Sequence, residues 1–394
     1  MRQSRSDHLL IPAALAALLL SAAGHRGTTT AATTATTTVG SSGAMAAAAT
    51  IAFAASSADT LVIGAGGDLM LGSWLTAILD ARGSDYPWRD LAPVLSRADL
   101  LIGNLESPFL DDTTRVARAQ KTYTFAVPSR HAAVLHSGGF GAVTLANNHI
   151  LDFGLTGLER TWEVLENAGI VHAGTGSDKA EAHTHSVVSA GGRRIALLAY
   201  NHVFPAEFWA GEDRPGTAHA LDEPLAAEVR RARADADLVV VSFHWSEEGR
   251  ETPKEYQQIL ARIAVDNGAD LVVGHHPHVL QTLEWYRGRL IAYSLGNLVF
   301  ASYTPAPTGA LLLVAFTEDR IASAEFHPVD VNNYRRHFRP SPISPEAWPV
   351  LGSAVVATLA DSARAGAEGI SIQRNAQGGW FRLLPPDEER QPPQ

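Results

Sequence analysis

Three imidazoles within four residues are the clearest chemical feature of this chain. They lie in Gly274-His275-His276-Pro277-His278, directly after the apolar run Ala269–Val273. Neutral imidazole is the commonest protein ligand for Zn, Fe and Mn class ions, and a His-x-His pair on extended backbone places both rings on the same face. The pattern predicts a metal site at the end of a buried strand, and the alternative is a histidine run on a surface loop.

Four other apolar runs are also followed by carboxylate, carboxamide or imidazole side chains. Open α/β sheets bind ligands at the carboxyl ends of their strands, so these endings are expected to meet. Each ending alone is a weak signal, because an Asp after a strand is often a turn residue and an Asn-His pair often belongs to a loop. The endings are Gly67-Asp68-Leu69-Met70, Gly103-Asn104-Leu105-Glu106-Ser107-Pro108, Ala146-Asn147-Asn148-His149 and His244-Trp245-Ser246-Glu247-Glu248.

The elements that position these endings are predicted as short buried strands separated by amphipathic helices. Continuous hydrophobicity is typical of inner strands. The clearest helix has Thr252 as N-cap, Pro253 at its first position and Glu255 closing a capping box, and it stops at Asn267. Two further helices are predicted over residues 155–168 and 224–234. The predicted strands are Leu61–Gly64, Asp99–Ile102, Ala142–Leu145, Leu238–Val241 and Asp270–Val273.

Later strand pairs are predicted to be antiparallel, because Gly-containing turns join the first two pairs. The sequence therefore indicates an α/β domain with mixed sheets over residues 59–330. We expect the extension over residues 331–394 to be peripheral, with one helical segment at 346–365 and a polar end at 385–394. The predicted pairs are His185–Val188 with Arg194–Leu198, Thr282–Trp285 with Leu290–Tyr293, and Gly309–Phe316 with Ile321–Val329.

Composition limits the possible functions. The chain has 394 residues, of which 46% are hydrophobic, and a formal net charge of -10. That charge argues against a nucleic-acid partner, because phosphate binding needs clustered Lys and Arg. There are no cysteines. Any metal must therefore be bound by His, Asn and carboxylates, which favours an exchangeable, catalytic type of centre over a closed structural one.

The N-terminus has the order of a secretory signal: basic Arg2 and Arg5, an apolar run over residues 9–20, then small residues. We predict a signal peptide or N-terminal anchor over residues 1–26 and a Thr/Ala-rich linker over 27–58. A second apolar stretch at 45–58 leaves the cleavage point open. The expected location is extracytoplasmic, secreted or membrane-anchored, with cytoplasmic residence as the alternative.

Taken in order, these motifs resemble the CapA family, proteins associated with synthesis or export of poly-γ-glutamate capsule and similar in fold to calcineurin-like metallophosphatases. The resemblance covers roughly residues 60–330 and implies a four-layer αββα sandwich with a metal cleft along the sheet edges. The matching segments are Gly67–Gly72, Asn104–Pro108, Leu145–His149, His244-Trp245, Gly274–Gln281 and Tyr293–Asn297, with Lys121–Phe125 and Leu151–Gly154.

The resemblance also implies two divalent metal ions, of Mn, Fe or Zn type, and His149 as general acid. Two ions about 3.5–4 Å apart can bind both oxygens of a displacement and generate hydroxide near neutral pH. Lys121 and Asp152 are candidates for substrate contact and for orienting His149, and His275 is expected to pack or hydrogen bond in its loop. The implied ligands are Asp68 and His278 for the first metal, Asn148, His244 and His276 for the second, and Glu106 as the bridge.

Some residues depart from the phosphatase pattern. Met70 stands where metallophosphatases have a ligand imidazole, although it agrees with the CapA family, and Asn104 and Glu106 replace the usual second-strand Asp. The first metal would lose a ligand, which permits a single occupied site. The ordinary alternatives are Asp68 as a turn residue, Glu106 in an ion pair, Asn148 as a loop amide and His149 as a ligand.

Two functional classes follow. The first is an exported metal-dependent hydrolase acting on a phosphoester, or on an amide of an anionic cell-surface polymer. The second is an accessory subunit of a membrane polyglutamate synthesis complex, which binds the polymer in the same cleft without turnover. Fold alone does not separate the two classes.

Overall fold

The computed structural model describes residues 60–220, 222–302, 308–318 and 320–344, with shorter pieces at 347–349, 351–352, 355, 358–359, 371–375 and 379–384. The predicted signal peptide or anchor (1–26) and linker (27–58) lie outside the described residues. So do the polar end at 385–394 and most of the helix expected at 346–365.

The strands of the described chain are β1 (Thr60–Met70), β2 (Leu100–Leu105), β3 (Phe140–Thr144), β4 (Val171–Ala173), β5 (Thr175–Gly176), β6 (Ser186–Ala190), β7 (Arg193–Asn201), β8 (Gly216–Thr217), β9 (Leu238–His244), β10 (Leu271–His275), β11 (Leu283–Tyr286), β12 (Arg289–Ala292), β13 (Asn297–Phe300), β14 (Thr308–Thr317), β15 (Arg320–Asp330), β16 (Ser341–Pro342), β17 (Ser371–Arg374) and β18 (Phe381–Leu384).

These strands form two large mixed sheets. The larger sheet has the order β17-β18-β15-β14-β1-β2-β3-β4, with β13 also beside β1 and β16 beside β15. The smaller has the order β11-β12-β10-β9-β7-β6, and β5 pairs separately with β8. Strands β1, β2 and β3 run parallel, as do β7, β9 and β10. The carboxyl ends of each parallel set therefore lie along one sheet edge.

The helices are α1 (Trp74–Arg82), α2 (Ala92–Leu95), α3 (Ala132–Gly138), α4 (Gly154–Asn167), α5 (Lys179–Ala182), α6 (Asp222–Asp235), α7 (Glu255–Asp266) and α8 (Asn333–Arg336), with 3₁₀ turns at Tyr86–Trp88, Ser129–His131 and Ala206–Phe208. No helix in the described part of the chain is both long and apolar enough to cross a bilayer.

Apolar side chains pack in three separate cores, which define four layers. Ile63 of β1 and Leu197 of β7 share the core between the two sheets. On the outer face of the larger sheet, residues of β2 and β3 pack with α1, α3 and α4. On the outer face of the smaller sheet, residues of β9 and β10 pack with α6 and α7. The predicted αββα architecture is confirmed.

All five predicted buried strands and all three antiparallel pairs are confirmed. The predicted start of α7 is wrong, because backbone at Lys254 is still extended and Lys254 is the N-cap. Its N–H donates to Gln257 Oε1 at 2.8 Å, so Gln257 closes the box in place of Glu255. The helix therefore begins two residues later than predicted from Thr252 and Pro253.

The C-terminal extension is not peripheral, contrary to expectation. Strand β18 pairs with β15 and β17 with β18, so the extension widens the larger sheet. Phe381 and Leu383 lie in the core between the two sheets. A prediction made from the Pro-rich and polar composition of residues 331–394 could not detect these few inward-facing apolar side chains.

Candidate metal centre

The carboxyl ends of β1 and β2 in one sheet meet those of β9 and β10 in the other, and the predicted ligands converge there. Two groups of three buried or nearly buried side chains offer ligand atoms within 4.8 Å of one another, and Glu106 belongs to both. We call Asp68, Glu106 and His278 the first triplet, and Glu106, His244 and His276 the second triplet. Asn148 joins the second, because its Oδ1 lies 2.8 Å from His244 Nε2.

Two glycines allow the backbones to approach closely beside these ligands. A Cβ at Gly67 would lie 2.1 Å from the carbonyl oxygen of Gly296, and a Cβ at Gly274 would lie 2.0 Å from that of Tyr293. The Asp68 N–H donates to the same Gly296 oxygen at 2.9 Å. Glycine is therefore required in front of the ligands on both strands.

Hydrogen bonds hold the first triplet in place. His278 Nδ1 lies 2.9 Å from Asn297 Oδ1 and 3.1 Å from Asp68 Oδ2, which directs its Nε2 toward Glu106 Oε1 at 3.7 Å. Burial raises the pKa of Asp68, but hydrogen bonds from His275 and His278 outweigh it and hold that pKa well below its ordinary value. Burial lowers the pKa of His278, yet the charges of Glu106 and Asp68 raise it to about 10.

Glu106 is the residue that the arrangement leaves incomplete. It is fully buried, and its Oε1 accepts no hydrogen bond from the described residues. This oxygen lies 3.7 Å from His244 Nε2 and 3.7 Å from His278 Nε2. Burial raises the pKa of Glu106 well above its ordinary value, and the charge of Asp68 adds to that effect. A buried carboxylate oxygen between two imidazole nitrogens fits a bridging ligand of two cations.

The second triplet supplies neutral nitrogen ligands. Burial lowers the pKa of His244 well below its ordinary value and that of His276 to about 3. Both rings therefore keep an unprotonated nitrogen at neutral pH, as metal ligation requires. Nδ1 of His276 is buried and has no hydrogen-bond partner among the described residues. This donor set of imidazole, carboxylate and carboxamide suits Mn, Fe or Zn.

His149 lies beside the centre and is held by a carboxylate. Its Nδ1 lies 2.7 Å from Asp152 Oδ2, and its ring packs against Phe125 with centroids 4.3 Å apart. Asp152 is fully buried and also accepts the Phe125 N–H at 2.8 Å. Burial lowers the pKa of His149, and the Asp152 hydrogen bond opposes that shift. Asp152 thus orients His149, as the sequence suggested.

Lys121 pairs with Asp152 beside His149. Its ammonium lies 2.8 Å from Asp152 Oδ1 and 3.2 Å from His149 Nδ1, and it also donates to the Asn148 carbonyl. The Asp152 carboxylate and the Asn148 carbonyl thus engage two of its three donors, and 17% of the Lys121 side chain stays exposed. The structure therefore makes Lys121 the counter-ion of Asp152, and the expected substrate contact stays a prediction.

Sequence reasoning missed an amide network behind the ligands. Asn104 Nδ2 donates to Asp68 Oδ1 at 2.9 Å. Asn147 Nδ2 donates to Asn104 Oδ1 at 3.1 Å, and its Oδ1 accepts the His149 N–H at 3.0 Å. His275 Nδ1 lies 3.0 Å from Asp68 Oδ1, so this ring also contacts the ligand itself. The available signal was the position of both asparagines next to ligands at strand ends.

His276 and His278 do not lie on extended backbone, contrary to the sequence interpretation. Strand β10 ends at His275, and both His276 (φ 91°) and His278 (φ 56°) have positive φ. Non-glycine residues avoid this region at a cost of about 1–2 kcal/mol each. The two rings reach their triplets because the loop turns sharply after β10. Their positions are not explained by the alternation of side chains along a strand.

Ser246 provides a stability test next to the site. It has φ 75° and a buried hydroxyl oxygen without a hydrogen-bond partner among the described residues. Ser246→Gly removes both costs while the N–H can still donate to Tyr256 Oη at 2.7 Å. We expect the free energy of unfolding to rise by about 1 kcal/mol, measured by urea denaturation. A loss of stability would contradict this account of the turn.

Fold and site together define an αββα protein with a buried, two-triplet metal-type cleft at its sheet edges. The chain belongs to the bacterial capsule synthesis protein family PGA_cap, whose family model matches residues 62–302. The resemblance to CapA proteins is thereby confirmed.

Individual relatives agree with this assignment. The chain is 32% identical over 271 residues to the capsule biosynthesis protein CapA of Bacillus anthracis. The aligned region covers 67% of this chain and 66% of that protein. It is 32% identical over 280 residues to the PGA biosynthesis protein CapA of Bacillus subtilis (strain 168), covering 70% and 73%. Among solved structures, a 5'-nucleotidase precursor from Thermus thermophilus aligns with 15% identity and a TM-score of 0.42, covering 78% of this chain and 61% of that one.

Proposed function

We propose that this protein is an extracytoplasmic, metal-dependent hydrolase of an anionic capsule polymer, with poly-γ-glutamate as the polymer class. The observation that carries the proposal is the buried Glu106 oxygen, which accepts no hydrogen bond from the described residues and lies between the imidazoles of two triplets. Such an arrangement is costly without a cation and becomes favourable with one.

In this proposal the two triplets are ligand sets that share Glu106. Asp68 and His278 would hold one ion, and Asn148, His244 and His276 the other. When bound, such a pair supplies Lewis acidity and an activated water for attack on a phosphoester or amide. Asn104, Asn297 and His275 would keep the ligands oriented, since each contacts a ligand side chain.

His149 is proposed as the general acid. Its Nδ1 proton is directed to Asp152, which leaves Nε2 as the nitrogen that can protonate a leaving group. Lys121 pairs with Asp152 at 2.8 Å, and its positive charge adds to the lowering of the His149 pKa, which makes the ring a stronger acid. The reacting proton would therefore be held at one defined atom.

The N-terminal order of basic, apolar and small residues supports export, either with cleavage or with retention as an anchor. An anchored protein could work next to a membrane synthase complex. The names of the two Bacillus relatives, a capsule and a PGA biosynthesis protein, support a polymer outside the cell as the substrate.

Met70 favours a second candidate function, that of an accessory subunit which binds the polymer without turnover. Its side chain is buried in the core between the larger sheet and its helices, so no imidazole from this position reaches the first triplet. The first triplet then has three side-chain ligands, whereas the second has four with Asn148. A weakly held first ion would give a binding protein with little activity.

The decisive test combines metal analysis of the purified full-length protein with assays of phosphatase, phosphodiesterase and γ-glutamyl hydrolase activity. Hydrolysis that needs added Mn, Fe or Zn ions supports the enzyme. Polymer binding in the absence of any hydrolysis, with at most one ion bound, supports the accessory subunit. A protein that binds neither ions nor polymer contradicts both functions.

Metal removal gives a quantitative prediction for stability. Chelation of the full-length protein is expected to lower Tm by roughly 5 °C, because a ligand at 100 times its Kd stabilises the native state by about 2.7 kcal/mol. Differential scanning calorimetry before and after chelation measures the change. Re-addition of Mn or Zn should restore Tm, whereas Mg should not, since nitrogen ligands suit it poorly. An unchanged Tm after complete removal of the ions would argue against the site.

A further inference from the structure

A second cleft of about 250 Å³ opens at Leu151, two residues after His149 in the chain. Its volume is below the ~300–1,000 Å³ typical of pockets for drug-sized ligands, so it fits a group of a few heavy atoms. We call it the side cleft. It is lined by Leu151, Gly154, Leu155, Glu207, Phe208, Arg214 and Pro215.

The side cleft adjoins the residues proposed to carry out hydrolysis. Leu151 in its wall directly precedes Asp152 in the chain. The ring centroid of Phe208 lies 5.3 Å from the Lys121 ammonium, which in turn lies 3.2 Å from His149 Nδ1. One wall of the side cleft is therefore in contact with the group that braces His149.

Phe208 and three further lining residues belong to a segment over residues 202–215, between β7 and β8, that hydrogen bonds hold in place. The Phe208 carbonyl accepts a hydrogen bond from Thr217 Oγ1 at 3.1 Å, and the Ala210 N–H donates to the Thr217 carbonyl at 2.9 Å. Arg214 Nη2 donates to the Trp209 carbonyl at 2.9 Å, and the Trp209 ring stacks on His219 with centroids 3.7 Å apart. The guanidinium is thus tied to its own loop.

The charges of the side cleft select the type of ligand. Among the described residues, no carboxylate lies within ion-pair distance of the Arg214 guanidinium, although Glu207 lines the same cleft. The remaining lining is apolar or glycine. A dianionic phosphate would gain Arg214 but meet the Glu207 carboxylate. A ligand with one carboxylate, an aliphatic stem and an amide N–H matches the cleft: the carboxylate suits Arg214, the stem suits the apolar lining, and the N–H suits Glu207.

We propose that the side cleft is a subsite for a carboxylate-bearing aliphatic unit of the polymer, next to the unit that reacts at His149. Arg214 pairs with the carboxylate, Leu151 and Phe208 contact the methylenes, and Glu207 accepts the amide N–H. That the adjacent unit reacts at His149 rests on the proposed function. Binding of a unit in the side cleft does not require any hydrolysis.

The test measures binding of a γ-glutamyl trimer to the full-length protein by isothermal titration calorimetry. Arg214→Gln is expected to weaken binding at least ~10-fold, because it removes a charge-assisted contact. Arg320→Gln is the matched control: it removes the same charge from an exposed residue at the start of β15, which is not among the cleft residues. Arg320 pairs with Thr317 of β14, which in turn pairs with Thr60 at the amino end of β1. Equal affinity of the wild type and the Arg214→Gln variant would overturn the proposal.

Two further probes separate the chemistry of the ligand from the chemistry of the reaction. A trimer with its carboxylates converted to amides should bind the wild type and Arg214→Gln equally, and a difference of about 10-fold with this neutral probe would contradict carboxylate pairing. Glycerol phosphate should compete more weakly than glutarate; stronger competition would overturn the carboxylate assignment. Arg214-dependent binding without any hydrolysis would support the subsite while counting against the proposed enzyme.

Discussion

Replacing His149 by Gln is expected to lower the rate of metal-dependent hydrolysis by about 10²–10⁴-fold, the usual contribution of a general acid, while bound metal stays unchanged. The loss should depend on the leaving group. A substrate with a poor leaving group needs the proton and should show the full effect, whereas an aryl phosphoester, which leaves without protonation, should show much less. Steady-state kinetics with both substrates and metal analysis of the same samples measure this.

The matched control is His136→Gln, an exposed imidazole on α3, which should change neither rate nor metal content. Asp152→Asn should lower the rate with the poor leaving group less than His149→Gln does, because the acid remains but loses its orienting partner. Full activity of His149→Gln on the poor leaving group would end the acid assignment. Loss of metal in that variant would instead make His149 a ligand.

Replacing Glu106 by Gln is expected to abolish occupancy of both ions, since this residue belongs to both triplets. Loss of the Lewis acidity, worth several kcal/mol, corresponds to a rate reduction of roughly 10³-fold or more. The same change removes a buried carboxylate whose Oε1 has no hydrogen-bond partner among the described residues. When a chelator has removed the ions, the Glu106→Gln variant should therefore be at least as stable to unfolding as the wild type. When the ions are present, the variant should be less stable than the wild type.

The expected result is thus a reversed order of stability with and without metal. Calorimetry in both conditions measures the stabilities, and mass spectrometry measures the bound metal. Glu325→Gln is the control, because Glu325 is also a buried glutamate but pairs with Arg97 at 2.8 Å and with His327. That variant should lose stability in both conditions and keep its ions. If Glu106→Gln retained both ions, the bridging role of Glu106 would be wrong.

The sequence predicts the strands and the converging endings well, because these follow from local patterns. Continuous apolar runs identify β1, β2, β3, β9 and β10, and parallel strands bring Asp68, Glu106 and His244 to one cleft. The prediction works wherever a side chain's position depends only on which strand carries it.

Features that depend on backbone turns or distant contacts were not predictable. The positive φ of His276 and His278 comes from a sharp turn after β10, for which Pro277 gives no specific signal. The partnership of Lys121 with Asp152 joins residues 31 positions apart through a loop without regular pattern. The packing of Phe381 against the central core likewise depends on where a polar extension returns to the sheet.

The two triplets have a mechanical consequence. Each draws ligands from both sheets: Glu106 follows β2 of the larger sheet, whereas His244 ends β9 and both His276 and His278 follow β10 of the smaller one. An ion held by either triplet is therefore a reversible cross-link between the two layers, in a chain that has no cysteine for a covalent one. Separation of the sheets along the cleft, and with it access of proteases to the central core, would then depend on the metal supply around the protein.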